Sequence, residues 1–482
     1  MSVEDAIEKI IGRFGRYQSW ILVLCIASKY PIEYQLTNVV FILPSVNYIC
    51  LDEGANNNTN YCPCDNPLYV TDDIVSSITS EFNLICNRQS LASLSQSILQ
   101  VGILLGSLFF GYISDRYGRK ITLITAQLST VTFVALSATG KQLWMFIICR
   151  CLIGAGVGGT MLCSYIYIIE FSGKSFRSQA TGLHEMSYIS SYFSLAVIAY
   201  FVREWRYLQL VTSVPWVFVI IYFWILPESP RWLITVGRKK EAIVLLTRIA
   251  KRNNRSTEDI ENIINNIESA PKDQRGSYID VVRTPKIRFY TMINVLVWMF
   301  CAHTYFGINQ YVGRLQGNLY MNVMLSAASH LPGNTITVLA AIYIKRKLCV
   351  ITYFCVVAVS LLLFIVIPSE WQAVTLTFAL IGSTGSHYSF VLVYLYTAEV
   401  FPTVIRNSAM GLASMFARFG GFIAPFVVNI GIEWVSILIF SGFALLAAIM
   451  CYCLPETKDT TLLNTIEQTE NRKDIPIDRS IK

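Results

Sequence analysis

Apolar residues fall in long runs separated by short polar turns. Runs near twenty residues recur at about 19–43, 91–112, 121–138, 144–169, 180–200, 208–226, 289–309, 322–344, 348–367, 371–397, 407–430 and 433–454. A helix needs about 20 mostly apolar residues to cross a bilayer. The pattern therefore predicts twelve membrane-spanning helices. Residues 1–18 form a mixed-charge N-terminal segment, and no cleavable signal is read there. Two polar stretches interrupt the runs, a loop at 44–90 and a linker at 227–288, and residues 455–482 form a polar tail. In the linker, Arg238 to Arg252 alternates apolar and basic residues at helical spacing, which predicts a helix lying against the membrane face. A second short helix is expected over Glu258 to Ile267.

Composition sharpens this picture. Apolar residues are 54% of the 482 and charged residues only 14%, against roughly 25% charged in an average soluble domain. That excludes a cytosolic enzyme and a disordered chain. The net charge of +7 is scattered over loops rather than gathered on one face, so it is no nucleic-acid footprint. Basic loops face the cytoplasm. The segment Glu228 to Arg288 holds 13 basic and 8 acidic residues, which places the linker and both termini inside and the loop 44–90 outside.

Cysteine use agrees. Nine of the 13 Cys lie in or beside apolar runs; the other four, Cys50, Cys62, Cys64 and Cys86, share the outer loop. Two disulfides are expected there, with three pairings open. The same loop carries the glycosylation triplet Asn57-Asn58-Thr59.

The chain also repeats itself. Tyr165, Tyr167, Glu170, Arg177 and Gly182 recur 229 residues later as Tyr394, Tyr396, Glu399, Arg406 and Gly411. Arg119-Lys120 recurs as Arg346-Lys347, and Pro227-Glu228 as Pro455-Glu456. Six spans per half, in parallel, is a transporter layout. No phosphate loop, dinucleotide turn, metal-ligand cluster or nucleophile elbow is present, and no cofactor is implied. The four His are single, and each is expected to be packed or hydrogen-bonded.

Gly111-Tyr112-Ile113-Ser114-Asp115-Arg116-Tyr117-Gly118-Arg119-Lys120 resembles the signature turn of the major facilitator superfamily. Gly12, Phe14-Gly15-Arg16 and Gln18, with Glu81-Phe82-Asn83-Leu84-Ile85-Cys86, resemble its organic cation, anion and carnitine transporters. Pro227-Glu228-Ser229-Pro230-Arg231-Trp232-Leu233 is shared with sugar porters. Tyr396-Thr397-Ala398-Glu399, Arg406-Asn407, Gly411, Arg418, Gly420-Gly421 and Pro425 are similar to the tenth and eleventh spans of that family. The resemblance covers about residues 8 to 460. This chain departs from it in four outer-loop Cys instead of six, and in a second signature reduced to Lys345-Arg346-Lys347.

The resemblance implies an all-α facilitator fold of two six-helix halves and no enzyme. It implies a transporter of small organic ions by alternating access in the plasma membrane, with sodium, a proton or a counter-anion as the coupling ion. Arg418 stands where cation transporters carry Asp and anion or carnitine types carry Arg, so an anion or zwitterion leads a cation. A transporter-like glycoprotein that moves nothing is the reading from another class. Ionisable residues within spans are functional candidates. Here they are Arg418, the one-turn pair Lys29 and Glu33, and Glu185, which either pairs with Arg150 or binds a cation or proton. Tyr305, Phe306 and Phe390 match cavity aromatics of the family. Asp115, Arg119, Glu170, Arg177, Glu228 and Arg231, with Arg346, Glu399, Arg406 and Glu456 in the second half, match its cytoplasmic gate.

Overall fold

Every apolar run becomes helix in the computed structural model. It describes residues 3–52, 59–70, 74–173, 176–266, 279–315, 317–368, 370–402, 404–458 and 466–470. In the first half the spans are Arg16–Thr37, Gln89–Tyr117, Arg119–Thr139, Leu143–Phe171 and Arg177–Phe201, and a broken sixth. That sixth span runs as Trp205–Ser213, a tighter 3₁₀ stretch Val214–Ile221, and Tyr222–Ile225. Pro215, within the first turn of the 3₁₀ stretch, has no N–H to continue the α ladder. In the second half the spans are Pro285–Tyr311, Leu319–Tyr343, Arg346–Val366, Gln372–Val400, Arg406–Val428 and Glu433–Tyr452. Among the described residues, nine helices are long and apolar enough to cross a membrane. The other three expected spans are the polar ones: the first carries Lys29 and Glu33, the fifth His184 and Glu185, the eighth Asn322, His330 and Asn334.

The chain divides into two compact units. The first comprises 1–39, 74–76 and 101–271, and the second 40–73, 77–100 and 272–482. The linker helices therefore fold with the first half. Pro230–Thr235, Lys239–Arg252 and Ile260–Asn265 pack with the N-terminal helix Val3–Ile11 on the basic ends of its spans. Ala242, Leu245, Leu246, Ile249 and Ala250 of the long linker helix are all buried in that cluster. This corrects the expected membrane-lying helix: its apolar stripe is satisfied by protein. Burying such aliphatic side chains is worth about 1.5–3 kcal/mol each. Asn253 fastens the bundle to the first span. Its Nδ2 donates to the Ile11 carbonyl at 3.0 Å and to Gln18 Oε1 at 2.7 Å, and its Oδ1 accepts from the Tyr17 amide at 3.1 Å.

In the second unit the cysteine-bearing loop makes a two-stranded antiparallel sheet, Tyr48–Cys50 against Pro67–Tyr69. The disulfides are Cys50–Cys64 and Cys62–Cys86. Asn57 lies outside the described residues. Peptide mass spectrometry without reduction should return those two bridges and no others; a Cys50–Cys62 peptide would contradict the fold of the loop. Each bridge closes a loop of 14 or 24 residues, which corresponds to about 3 kcal/mol in the chain-entropy view. Cys→Ser pairs should thus lower surface yield more than solute affinity.

Candidate functional site

Three polar constellations stand out, and each lies within one unit. In the first unit, Lys29 Nζ sits 3.1 Å from Glu33 Oε1 and 3.2 Å from Glu185 Oε1. Lys29 and Glu33 are one turn apart on the first span, and Glu185 reaches them from the fifth. Both residues of the turn pair are buried, with the Glu33 side chain 4% exposed, whereas that of Glu185 is 44% exposed. Two carboxyl groups share one ammonium, so the acidic groups of the trio outnumber its one basic group. His184 Nδ1 lies 3.7 Å from Glu185 Oε1.

The expected alternative, Glu185 with Arg150, does not form. Arg150 is buried and donates instead to Gln35 Oε1 at 2.9 Å, the Gln35 carbonyl at 3.1 Å and Asn38 Oδ1 at 3.4 Å. Gln209 Oε1 accepts from both Gln35 and Asn38. A guanidinium offers five donors and takes no acceptor role; neutral amides at the end of the first span take its two Nη groups, while Nε makes no hydrogen bond among the described residues. Sequence reading missed this network because Gln and Asn in an apolar run carry no charge signal.

In the second unit, Arg418 and the expected aromatics do come together. Tyr305 lies over Phe390 with ring centroids 6.0 Å apart and planes 14° from parallel, and Phe306 meets Tyr305 at 5.0 Å. Tyr394 extends the face, 5.3 Å from Phe390 and 4.2 Å from buried Trp298. Arg418 lies in the neighbourhood of Tyr305 and Tyr394 and donates to Gln100 Oε1 at 3.3 Å. Among the described residues its hydrogen bond goes to an amide rather than a carboxylate. Residues up to Gln100 of the second span belong to this unit, where Ser97 donates to the Phe422 carbonyl at 2.6 Å and Asn429 to Ser93 Oγ at 2.8 Å. Small residues permit this packing: a side chain on Gly421 would run into Phe306 and Gln100.

The third constellation occurs twice, at the basic ends of the spans. Arg119 donates through Nε to both oxygens of Glu170 at 3.2–3.3 Å, and through Nη1 to the Ser114 carbonyl at 2.7 Å and Asp115 at 2.9 Å. Glu228 Oε1 accepts from the backbone amides of Arg119 at 2.9 Å, Lys120 at 3.3 Å and Ser229 at 2.9 Å. Burial pushes the Glu228 carboxyl up from its ordinary value, against those amides and the Arg119 charge. Its role is to cap the third span, whose first N–H groups lack helical partners. Gly118 makes this possible, because its φ is +105° and a Cβ there would lie 2.3 Å from Glu228 Oε2.

The second half repeats the plan. Arg346 pairs with Glu399 at 3.3 Å and reaches the Ala341 carbonyl, while Glu456 accepts from the amides of Arg346, Lys347, Thr457 and Lys458. Tyr167 donates to the Pro227 carbonyl, and Tyr396 to that of Pro455. The second signature has no counterpart of Asp115; there Lys458 Nζ donates to the Ile342 carbonyl at 2.6 Å, and Thr457 to Glu399 at 2.6 Å.

Of the remaining gate candidates, Arg177 opens the fifth span and Arg231 lies on the Pro230–Thr235 helix. Arg406 opens the eleventh, and its Nε and Nη2 make no hydrogen bond among the described residues. Asp115 is 80% exposed, so Asp115→Asn should change stability by no more than about 1 kcal/mol. Thermal unfolding of the purified variant checks this; a larger loss would mean that Asp115 is buried in the working protein.

A family profile described as sugar (and other) transporter matches residues 47–468. The organic cation transporter protein of Drosophila melanogaster is 32% identical over 419 residues, covering 85% of this chain and 76% of that one. Solute carrier family 22 member 1 of Bos taurus is 34% identical over 430 residues, covering 88% and 76%. In fold, the inward-open xylose transporter XylE from E. coli superposes with a TM-score of 0.69 at 18% identity, covering 94% of this chain and 99% of that one. The repeated helix-end clusters, the twelve helices and these relatives agree: the chain is a major facilitator superfamily transporter, not an enzyme, and belongs to the solute carrier 22-like family of organic cation, anion and carnitine transporters.

Proposed function

We propose that the protein carries small organic cations across a cell membrane by alternating access. The observation that carries this reading is the Lys29–Glu33–Glu185 trio, two carboxyl groups on one ammonium, of which Glu185 is half exposed and presents an acidic group to a solute. A solute cation can sit against the exposed Glu185 carboxylate by Coulomb attraction, with charge-assisted hydrogen bonds added where it carries an N–H. The aromatic face around Tyr305 and Phe390 suits an alkylammonium through apolar area and cation–π attraction. Relatives named as organic cation transporters support the same charge sign. This reverses the order of preference drawn from Arg418 alone.

Arg418 favours a second reading. A guanidinium hydrogen-bonded only to an amide among the described residues remains able to take a carboxylate, which would admit anions or zwitterions. We place the protein in the plasma membrane with both termini in the cytoplasm and the disulfide-bearing loop outside.

Uptake of labelled tetraethylammonium, a dicarboxylate and a hydrophobic monocarboxylate, with and without sodium, separates these readings. Tetraethylammonium should enter, and Glu185→Gln should raise its KM by about tenfold, the equivalent of about 1.4 kcal/mol. Carboxylate entry that is lost in Arg418→Gln, with no tetraethylammonium entry, would establish the second reading instead.

A further inference from the structure

We propose that His387 is a specificity-determining residue of the Arg418 face, and that its protonation decides whether that face accepts a cation or a carboxylate. The proposal rests on that face being where the solute binds. Of the chain's four histidines, His184, His303 and His330 are buried, whereas His387 is partly exposed. On the tenth span it shares a stripe with Phe390 and Tyr394, three and seven residues on. Its ring lies 5.6 Å from that of Tyr305, 4.9 Å from His330 and 5.0 Å from Tyr388. His330 is held at Nδ1, 2.6 Å from the Ser326 carbonyl. Tyr305 therefore meets His387 and stacks on Phe390, in the neighbourhood of Arg418.

The helices packed on the tenth span are the seventh, eighth, ninth and eleventh. Their charged residues are Arg418 and, toward the basic ends, Lys286, Arg288, Arg346, Lys347 and Arg406; their histidines are His303 and His330, and none of the four contains a carboxylate. The only acid of the tenth span is Glu399, three turns from His387. A proton on His387 would thus add a second positive charge to a face that already holds Arg418. Histidine is the side chain whose charge changes nearest neutral pH. While neutral, the ring is one more aromatic surface for an alkylammonium. Once protonated, the imidazolium competes for the Tyr305 π face and attracts carboxylates. Cation uptake should therefore fall, and carboxylate uptake rise, as pH drops.

The test compares wild type with His387→Phe, which keeps an aromatic ring and removes the proton site. Tetraethylammonium and a hydrophobic monocarboxylate are the probes, at pH 5.5 and 7.5. In wild type the ratio of cation to carboxylate uptake should fall several-fold at pH 5.5, and in His387→Phe it should stay constant. In parallel, imidazole NMR of histidine-labelled protein should show one resonance, absent from His387→Phe, that titrates over pH 5–8 and shifts on adding tetraethylammonium. The same pH profile in both proteins, or a His387 resonance indifferent to both pH and probe, overturns the proposal. If neither probe is transported, the transport reading fails, and the resonance still decides whether His387 titrates and meets the cation.

Discussion

Lys29→Met should strip stability from the protein and leave little of it folded at the membrane. The ammonium is the counter-charge of Glu33, whose side chain is 4% exposed. Removing one partner of a buried pair leaves an uncompensated charge, which costs about 3–5 kcal/mol. Glu185, being half exposed, keeps water as a substitute partner. The double change Lys29→Met with Glu33→Gln should consequently recover most of the loss. Thermal unfolding of the purified variants measures both. If the single variant is as stable as wild type, Glu33 is protonated in the folded protein and the trio carries no net negative charge.

Arg119→Ala should show the second large effect, and mainly on turnover. Arg119 joins the ends of the second and fourth spans through Ser114, Asp115 and Glu170, and Glu170 is only 7% exposed. Its loss orphans that carboxylate and frees two helix ends that must shift together if the basic end opens. A change of about 1–3 kcal/mol in the balance between states, the usual range of coupling energies, would alter initial rates by roughly five- to 150-fold. Uptake per surface molecule is the readout. Arg119→Lys keeps the charge but loses the forked contact to Glu170, so it should fall between. Equal rates in all three proteins would reduce the cluster to an anchor.

The span count and the repeat were legible because both rest on signals that survive without contacts. Twenty apolar residues have one solution in lipid, and charged residues at a fixed offset of 229 mark equivalent corners. The Tyr305–Phe390 face was legible through the family resemblance alone; 53 Tyr and Phe residues offer no other means of choosing two. What the sequence could not convey was pairing across helices. Glu185 could be matched with Arg150 or left alone, and only the packing of the fifth span on the first selects Lys29. Likewise Arg238 to Arg252 has the stripe of a membrane-surface helix, and nothing local reveals that Val3–Ile11 covers it. Glu228 and Glu456 were recognisable as important. Their task of capping helices about 110 residues earlier in the chain depends on a long-range turn that periodicity does not encode.

Cation transport is measured on purified protein in liposomes, given labelled tetraethylammonium outside and a potassium-diffusion potential negative inside. Uptake should be saturable and above that of empty liposomes, increased by the potential and weakened about tenfold in apparent affinity by Glu185→Gln. Uptake indistinguishable from empty liposomes, while a monocarboxylate is taken up and lost in Arg418→Gln, would contradict it.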